Sequence, residues 1–265
     1  SQCWELYEYR FKRSGAPVKL KGSRKDLILW DGLPCKHLVV MIEQGYGDQF
    51  MFGRYLSSAA ALCDKLTVQC HDSMKDIFPY ETCNDPIETD ATHGIGMCSL
   101  GKIFDSGIPP GDWLNDKYIP KIKNGSIDIG VVWSGNHDHV NDRYRSSSPE
   151  LFRRLASLGN LYTLNPTEAG TNGFTHLKSG SWLETIKLMS SLDAVVCVDT
   201  SIAHMCGAIG MPCYVIMPTK NGDFRWGDKS MGTSNVWYDS VRVIRNDGWE
   251  SSIEKVKSEL KNSTN

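Results

Sequence analysis

The sequence predicts an α/β protein of two lobes, each a parallel sheet with helices packed on it. Three observations carry this reading. In the second half, four short apolar runs, "IDIGVVWS", "LYTLN", "DAVVCVD" and "CYVIMP", alternate with three segments of helical periodicity, "SPELFRRLASL", "SWLETIKLMSSL" and "TSIAHMCGAIG", the pattern of a doubly wound unit. In the first half, "KHLVVMI", "EQGYGDQ", "FMFGRYLSSAAALC" and "KLTVQC" read as strand, glycine-rich turn, helix and strand, an order that again implies a parallel sheet. At 265 residues the chain is long enough for two modest domains, each with its own core.

Taken in order, residues 1–33 are expected to form an N-terminal arm. A short helix in "WELYEYRFKR" places Trp4, Tyr7 and Phe11 on one face, and the irregular, basic stretch after it lies over the main body. Residues 34–122 form the first lobe, in which "DSMKDIF" is a short helix capped by Asp72 or Ser73. Between residues 79 and 123, "GIGMCSLGKIF" accommodates another strand, while "DSGIPPGDW" and "NDKYIPKIKNGS" read as loops. A linker near Ile119–Ser126 leads into the second lobe, residues 123–265. There Pro149 stands in the first turn of its helix, and Gly210 and Pro212 stop the helix that starts at Thr200. A closing helix in "GWESSIEKVKSELKN" sets Ile253, Val256 and Leu260 on one face.

Composition narrows the function classes. With 29 basic and 31 acidic side chains the net charge is −2, so no global attraction to nucleic acid or an anionic membrane follows. A local one is confined to the arm, with Arg10, Lys12, Arg13, Lys19, Lys21, Arg24 and Lys25. No apolar run approaches the roughly 18 residues of a membrane span, and the N-terminus lacks a signal-peptide pattern. Nine cysteines, odd in number and without a C-x-x-C pair, read as reduced packing residues of a cytoplasmic protein. The chain opens on Ser1, so residues upstream are expected to have been removed. No metal is expected: His137 and His139 have no third ligand at useful spacing.

Four stretches carry chemistry, and all follow predicted strands, on the side where ligands bind such sheets. In "VDTSIAHMCGAIGMP", Asp199, Thr200 and Ser201 fall at a helix start, where unpaired amides and the helix dipole favour an anion. The hydroxyls there either cap the helix or help hold a phosphate, and His204 stands one turn in. Ala203, Gly207, Ala208 and Gly210 let that helix lie close to the sheet or to a ligand. The loop "WSGNHDHVNDRYRSSS" is either a solvated loop or a ligand loop combining Ser134, Gly135, Asn136, His137, His139, Asn141, Asp142, Arg143 and Arg145, arginine being suited to phosphate. In "EQGYGDQ", Asp48 either caps the next helix or serves as a general base. The fourth stretch, "PTKNGDFRWGDKS", gathers Lys220, Asp223, Arg225, Trp226 and Asp228.

In their order, "EQGYGDQFMFGRYL", "GVVWSGNHDHVNDRYRS", "VDTSIAHMCGAIGMPCYVIMP", "GDFRW" and "VWYDSVRVIRNDGW" make nearly the whole chain resemble glycosyltransferase family 9. These are relatives of the ADP-heptose:lipopolysaccharide heptosyltransferases, of the type fused behind tetratricopeptide repeats. The resemblance implies a GT-B fold, two Rossmann-like lobes whose parallel sheets face an inter-lobe cleft, and a repeat domain upstream. It further implies metal-independent, inverting transfer from a nucleotide-sugar donor, with no cofactor. Asp48 matches the residue that activates the acceptor hydroxyl, with Gln44, Gly45, Tyr46 and Gly47 beside it on the acceptor side. Thr200, Ser201, Ile202 and His204, preceded by Asp199, match the helix start that holds the donor diphosphate, and a protonated His204 is expected to assist catalysis. Ser134, Gly135, Asn136 and Arg143 match the first donor loop; Asp223, Arg225 and Trp226 match a further one. Heptosyltransferases place a lysine in the first donor loop, where this chain has histidines and arginines, and residues 79–123 match poorly.

The leading expectation is therefore a transferase acting on a glycan, a lipid-linked sugar, a protein or a hydroxylated nucleobase. A non-catalytic nucleotide-sugar or glycan-binding module is the alternative from another class. An epimerase or dehydrogenase fits less well, because the glycine fingerprint of a dinucleotide site is incomplete.

Overall fold

The computed structural model describes residues 2–11, 26–85, 88–105, 107–120, 126–165, 173–218, 222–227, 229–245 and 248–264. Outside them lie the arm's basic stretch from Lys12 to Lys25, most of the expected linker, and Lys220 and Asp228 of the last strand-end loop. Contacts divide the chain into two compact units, Ser1–Pro110 with Ser181–Leu183, and Gly111–Gly180 with Glu184–Asn265. The second unit thus begins ahead of the expected linker: Leu114 donates its N–H to Ala208 O in that unit at 2.7 Å.

Among its described residues the first unit holds five strands, β1 (Ile28–Leu29), β2 (Cys35–Met41), β3 (Cys63–Gln69), β4 (Glu81–Cys83) and β5 (His93–Gly96). They run parallel in the order β1-β5-β2-β3-β4. Leu38 to Met41 of β2 are all buried, as befits a central strand covered on both faces. Two short strands were not visible in the sequence. β1 falls where an irregular arm was expected; it pairs with β5 while the neighbouring Trp30 is buried. β4, three residues long, pairs with β3.

The helices of this unit are α1 (Gln2–Glu8), α2 (Tyr46–Phe52), α3 (Leu56–Ala60) and α4 (Leu100–Ile103). The single helix expected after the glycine turn is interrupted by a 3₁₀ turn over Gly53–Tyr55, consistent with the low helical propensity of glycine. The expected cap at Asp72 or Ser73 does not form. The segment is a 3₁₀ turn over Asp72–Ile77, preceded by His71 without a side-chain cap, and Asp72 pairs with Lys75 instead.

Among its described residues the second unit has six parallel strands: β6 (Ile127–Val132), β7 (Gly159–Thr163), β8 (Thr175–His176), β9 (Ala194–Val198), β10 (Cys213–Met217) and β11 (Val241–Arg245). Their order is β11-β10-β9-β6-β7-β8, that is, 3-2-1-4-5-6 when numbered within the unit and read from the other edge, the Rossmann arrangement. The sequence reading found four of the six; β8 is two residues long, and β11 lies beyond the expected alternation.

Around the sheet are α5 (Asp142–Arg145), α6 (Pro149–Arg153), α7 (Trp182–Met189), α8 (Ser201–Ile209) and α9 (Trp249–Thr264). Ile253, Val256 and Leu260 of α9 join a core with Val131, Trp133, Phe152, Val196 and Ile216. Residues 202–209 of α8 are buried without exception. Gly210 ends that helix at φ +74°, a left-handed conformation favouring glycine, and Met211 N–H returns to Cys206 O at 2.9 Å.

Candidate active site

Ligands of doubly wound sheets bind outside the carboxyl ends of the strands, at the point where the strand order reverses. In the second unit that point lies between the neighbours β6 and β9, whose register pairs Val132 with Cys197. The segments leaving these two strands, and the one leaving β10, are the stretches singled out in the sequence.

The segment after β6 is a folded knot rather than an open polar loop. Trp133 N–H donates to Asn165 Oδ1 at 3.1 Å, and Asn165 Nδ2 donates to Ser134 Oγ at 2.7 Å. Farther on, buried Asp142 accepts from Ser146 Oγ (2.7 Å), and its other oxygen meets His137 Nδ1 (3.0 Å). Arg145 Nε also donates to Asp142, at 3.3 Å. Burial works to raise the Asp142 carboxyl, but these hydrogen bonds outweigh it and hold the group below its ordinary value. Ser146 Oγ in turn accepts the Gly135 N–H at 3.0 Å.

The arginine brought to the switch point is Arg145. Its Nη1 donates to the Asp199 carbonyl at 2.8 Å. Its guanidinium lies so close over Gly135 that a Cβ there would stand 2.5 Å from Nη2, a physical reason for glycine at that position. Arg143, singled out from the sequence, is exposed and covers Tyr144, with Nη2 donating to Tyr144 Oη at 2.7 Å. Asn136 is also exposed; its Oδ1 accepts from Asp138 N–H and closes a local turn.

At the start of α8, Thr200 takes the N-cap position with extended backbone, yet its side chain does not cap the helix. Thr200 Oγ1 is buried and meets no hydrogen-bond partner among the described residues. Buried hydroxyls are rarely left so. The first-turn amides around Ser201 and Ile202 have no acceptor within the helix by its geometry. Beside them, Asp199 Oδ1 accepts from Trp226 Nε1 at 2.9 Å. Burial first, and Asp223 second, push the Asp199 carboxyl above its ordinary value, against the pull of Trp226, Arg145 and Arg225. One electrostatic cluster therefore joins all three strand-end segments.

The segment after β10 is stiffened in the same way. Asp223 caps the 3₁₀ turn Phe224–Trp226 by accepting Arg225 N–H at 2.9 Å, and it also accepts from Arg225 Nη1 at 2.7 Å. Trp237 Nε1 fixes the turn through Arg225 O at 2.8 Å. His204 is buried one turn into α8, its ring stacked on Trp226 (4.8 Å between centroids) and its Nδ1 3.1 Å from Tyr238 Oη. Gly207 lies under the Tyr238 ring, too close for any larger residue. The small residues of α8 thus include one that seats an aromatic nest against the site.

In the first unit Gln44, Gly45, Tyr46, Gly47 and Asp48 follow β2, again at a point of strand-order reversal. Gly45 is the N-cap of α2 and Asp48 its third residue, so Asp48 does not cap that helix. Asp48 is half-buried and Gln44 exposed, with Gln44 Nε2 donating to Tyr7 Oη at 3.2 Å. Next to them, Glu43 accepts from Arg10 Nε at 2.8 Å and Nη2 at 3.0 Å, and also from the Cys98 N–H at 3.1 Å. The Arg10 and Glu43 side chains are 12% and 1% exposed, an internal ion pair beside the turn that carries Asp48.

Asn165, Tyr238 and Glu43 were not singled out in the sequence as site residues; they become informative only once the sheets are assembled. Asp142 was visible there as an acid among the arginines of its loop, without the pairing that the fold gives it.

Among the described residues no group of three or more His, Cys, Asp or Glu side chains could hold a metal ion, and no helix is long and apolar enough to cross a membrane. No family model and no curated protein matches the chain. Solved structures do. The bacterial iron-containing dodecameric glycosyltransferase TibC from enterotoxigenic E. coli H10407 superposes with a TM-score of 0.56 at 12% identity, over 88% of this chain and 78% of that one. E. coli heptosyltransferase WaaC, solved with ADP, gives 0.52 at 10% identity, over 85% and 99%. E. coli ADP-heptose LPS heptosyltransferase II gives 0.53 at 12% identity, over 87% and 100%. The chain therefore has the α/β GT-B fold of the heptosyltransferases.

Proposed function

We propose that this protein is a metal-independent, inverting glycosyltransferase that moves a sugar from a nucleoside-diphosphate donor to an acceptor hydroxyl. The observation that carries the reading is the second unit's switch point. It combines a buried, unpartnered Thr200 hydroxyl at a helix N-terminus with Arg145 at the adjoining Asp199 carbonyl. That combination suits a diphosphate. The fold it shares with an enzyme solved with ADP supports the same ligand class.

The chemistry follows from charge. Cleavage of the sugar–phosphate bond leaves the electron pair on the departing diphosphate. Without a metal, that growing charge is met by the α8 amides, Thr200, Ser201 and Arg145, one such donor contributing about 3–4 kcal/mol. Asp48 takes the acceptor proton as the hydroxyl oxygen attacks the anomeric carbon opposite the leaving group, which inverts its configuration. His204, held between Trp226 and Tyr238, positions the helix start.

Calorimetric titration with ADP, UDP, GDP and CDP is expected to find one nucleotide that binds, and Asp48→Asn to retain that affinity. Turnover of the corresponding nucleotide-sugar should fall by about 10²–10⁴ in the variant, the usual worth of a general base. Binding of none of the four, or undiminished turnover by Asp48→Asn, overturns the assignment.

A further inference from the structure

The nine cysteines are free thiols, and the fold brings several of them side by side. In the second unit Cys197 Sγ and Cys213 Sγ lie 3.7 Å apart, but both residues are fully buried, out of reach of an oxidant in solution. In the first unit Cys70 and Cys83 are buried too. Cys35 and Cys63 differ. Each opens its strand, β2 or β3, and is half-buried, and the residue after it, Lys36 or Asp64, is exposed. The register of these parallel strands sets Cys35 directly opposite Cys63. Directly paired residues point to the same face of a sheet, with Cα atoms about 4.8 Å apart, the spacing of neighbouring strands. That lies inside the roughly 4.4–6.8 Å window of a disulfide. Cys63 Sγ rests on the end of α3, donating to Ala59 O at 3.4 Å. Burial first, then the carboxylates of Asp64 and Asp31, push the Cys35 thiol above its ordinary value; burial first, then Cys35 itself, does the same to Cys63. Both thiols are therefore protonated near neutral pH and slow to react.

We propose that Cys35 and Cys63 are a redox modification site, closing a reversible disulfide across β2 and β3 when a small disulfide in solution oxidises them. The inference is independent of the transferase reading. The step is a double thiol–disulfide exchange. The Cys35 thiolate, its proton lost to water, attacks one sulfur of the oxidant; that S–S bond breaks and the other half leaves as a thiolate. The Cys63 thiolate then attacks Cys35 Sγ and expels the remaining half. The protein has given up two protons and two electrons, and the oxidant departs as two thiols. A fast peroxide sensor needs a low-pKa thiolate; this pair instead follows the disulfide pool slowly. The new bond closes the chain from 35 to 63, the segment holding β2, the glycine turn with Asp48, α2 and α3. Oxidation thus ties together both ends of that segment and restricts its unfolded state.

The test treats the whole folded chain with excess bis(2-hydroxyethyl) disulfide, quenches in acid and maps the products by peptide mass spectrometry. A Cys35–Cys63 linked peptide pair should be the main internal crosslink, and dithiothreitol should remove it. Between about pH 7 and 8 it should form about tenfold faster per pH unit, as expected of thiols that titrate above that range. The linked chain should also unfold at a higher urea midpoint than the reduced one. Cys3, exposed on α1, should stop at the mixed disulfide and report that the oxidant is active. Cys63→Ser should trap Cys35 in that same mixed form. The proposal is overturned by a Cys35 mixed disulfide that persists while Cys63 stays free, or by a Cys197–Cys213 crosslink that forms faster. Both thiols still free long after Cys3 is fully modified overturn it as well, as does a linked chain less stable than the reduced one.

Discussion

Arg143 and Arg145 stand two residues apart in one loop, and the structure assigns them opposite roles. The Arg145 side chain is 13% exposed, donates to Asp199 O at 2.8 Å and to Asp142 at 3.3 Å, and packs over Gly135. Arg145→Ala removes these bonds; a hydrogen bond to a charged group contributes about 1.5–3 kcal/mol. The Asp142 carboxylate keeps Ser146 and His137, so the loss stays short of the roughly 3–5 kcal/mol for stripping a buried ion of its partner. We expect a stability loss of about 2 kcal/mol from urea unfolding. Where a diphosphate accepts from the same guanidinium, a further 1.5–3 kcal/mol is about 10–100-fold in Kd. Arg143 is exposed and covers Tyr144, so Arg143→Ala should stay within about 0.5 kcal/mol and leave nucleotide affinity unchanged. Equal losses of nucleotide affinity in the two variants, or no loss in Arg145→Ala, would refute the site as built.

Three further perturbations test the frame. Arg10→Ala leaves Glu43, whose side chain is 1% exposed, without its cation, and should cost about 3–5 kcal/mol in denaturant unfolding, part of it recovered by adding Glu43→Gln. Gly207→Ala drives a methyl into the Tyr238 ring and should cost about 1–3 kcal/mol, with a change in near-UV circular dichroism as the Trp226–His204–Tyr238 nest opens. The Asp199 carboxyl is raised in the fold, by burial first and Asp223 second, so the native state binds a proton that the unfolded chain releases. Stability from this group is fully present below the ordinary carboxylate value and lost as pH rises through the raised one. Asp199→Asn can keep an acceptor for Trp226 Nε1, and its urea midpoints above the ordinary carboxylate value should decline less with pH than the wild type's.

What the sequence revealed, and what it hid, divides by how locally each feature is encoded. β6, β9, β10 and α8 are long apolar or small-residue runs, and Gly210 marks the end of α8 at a left-handed backbone position that glycine suits. The two-residue strands β1 and β8 carry no periodicity of their own and exist because a neighbouring strand supplies their partners. The site divides in the same way. Thr200 and Ser201 were legible because strand, hydroxyl pair and helix follow one another directly. The choice between Arg143 and Arg145 was not, since both satisfy the same local pattern. It is decided by α5, a single helical turn whose residue Asp142 binds one arginine inward and leaves the other exposed. His204 shows the same dependence over a longer reach: its partners Trp226 and Tyr238 lie 22 and 34 residues onward, gathered by the strand β10 and the loop before β11. Residue types at a helix start therefore suggest which ligand class to test, whereas the side chain that faces the strand ends is chosen by the packing behind it.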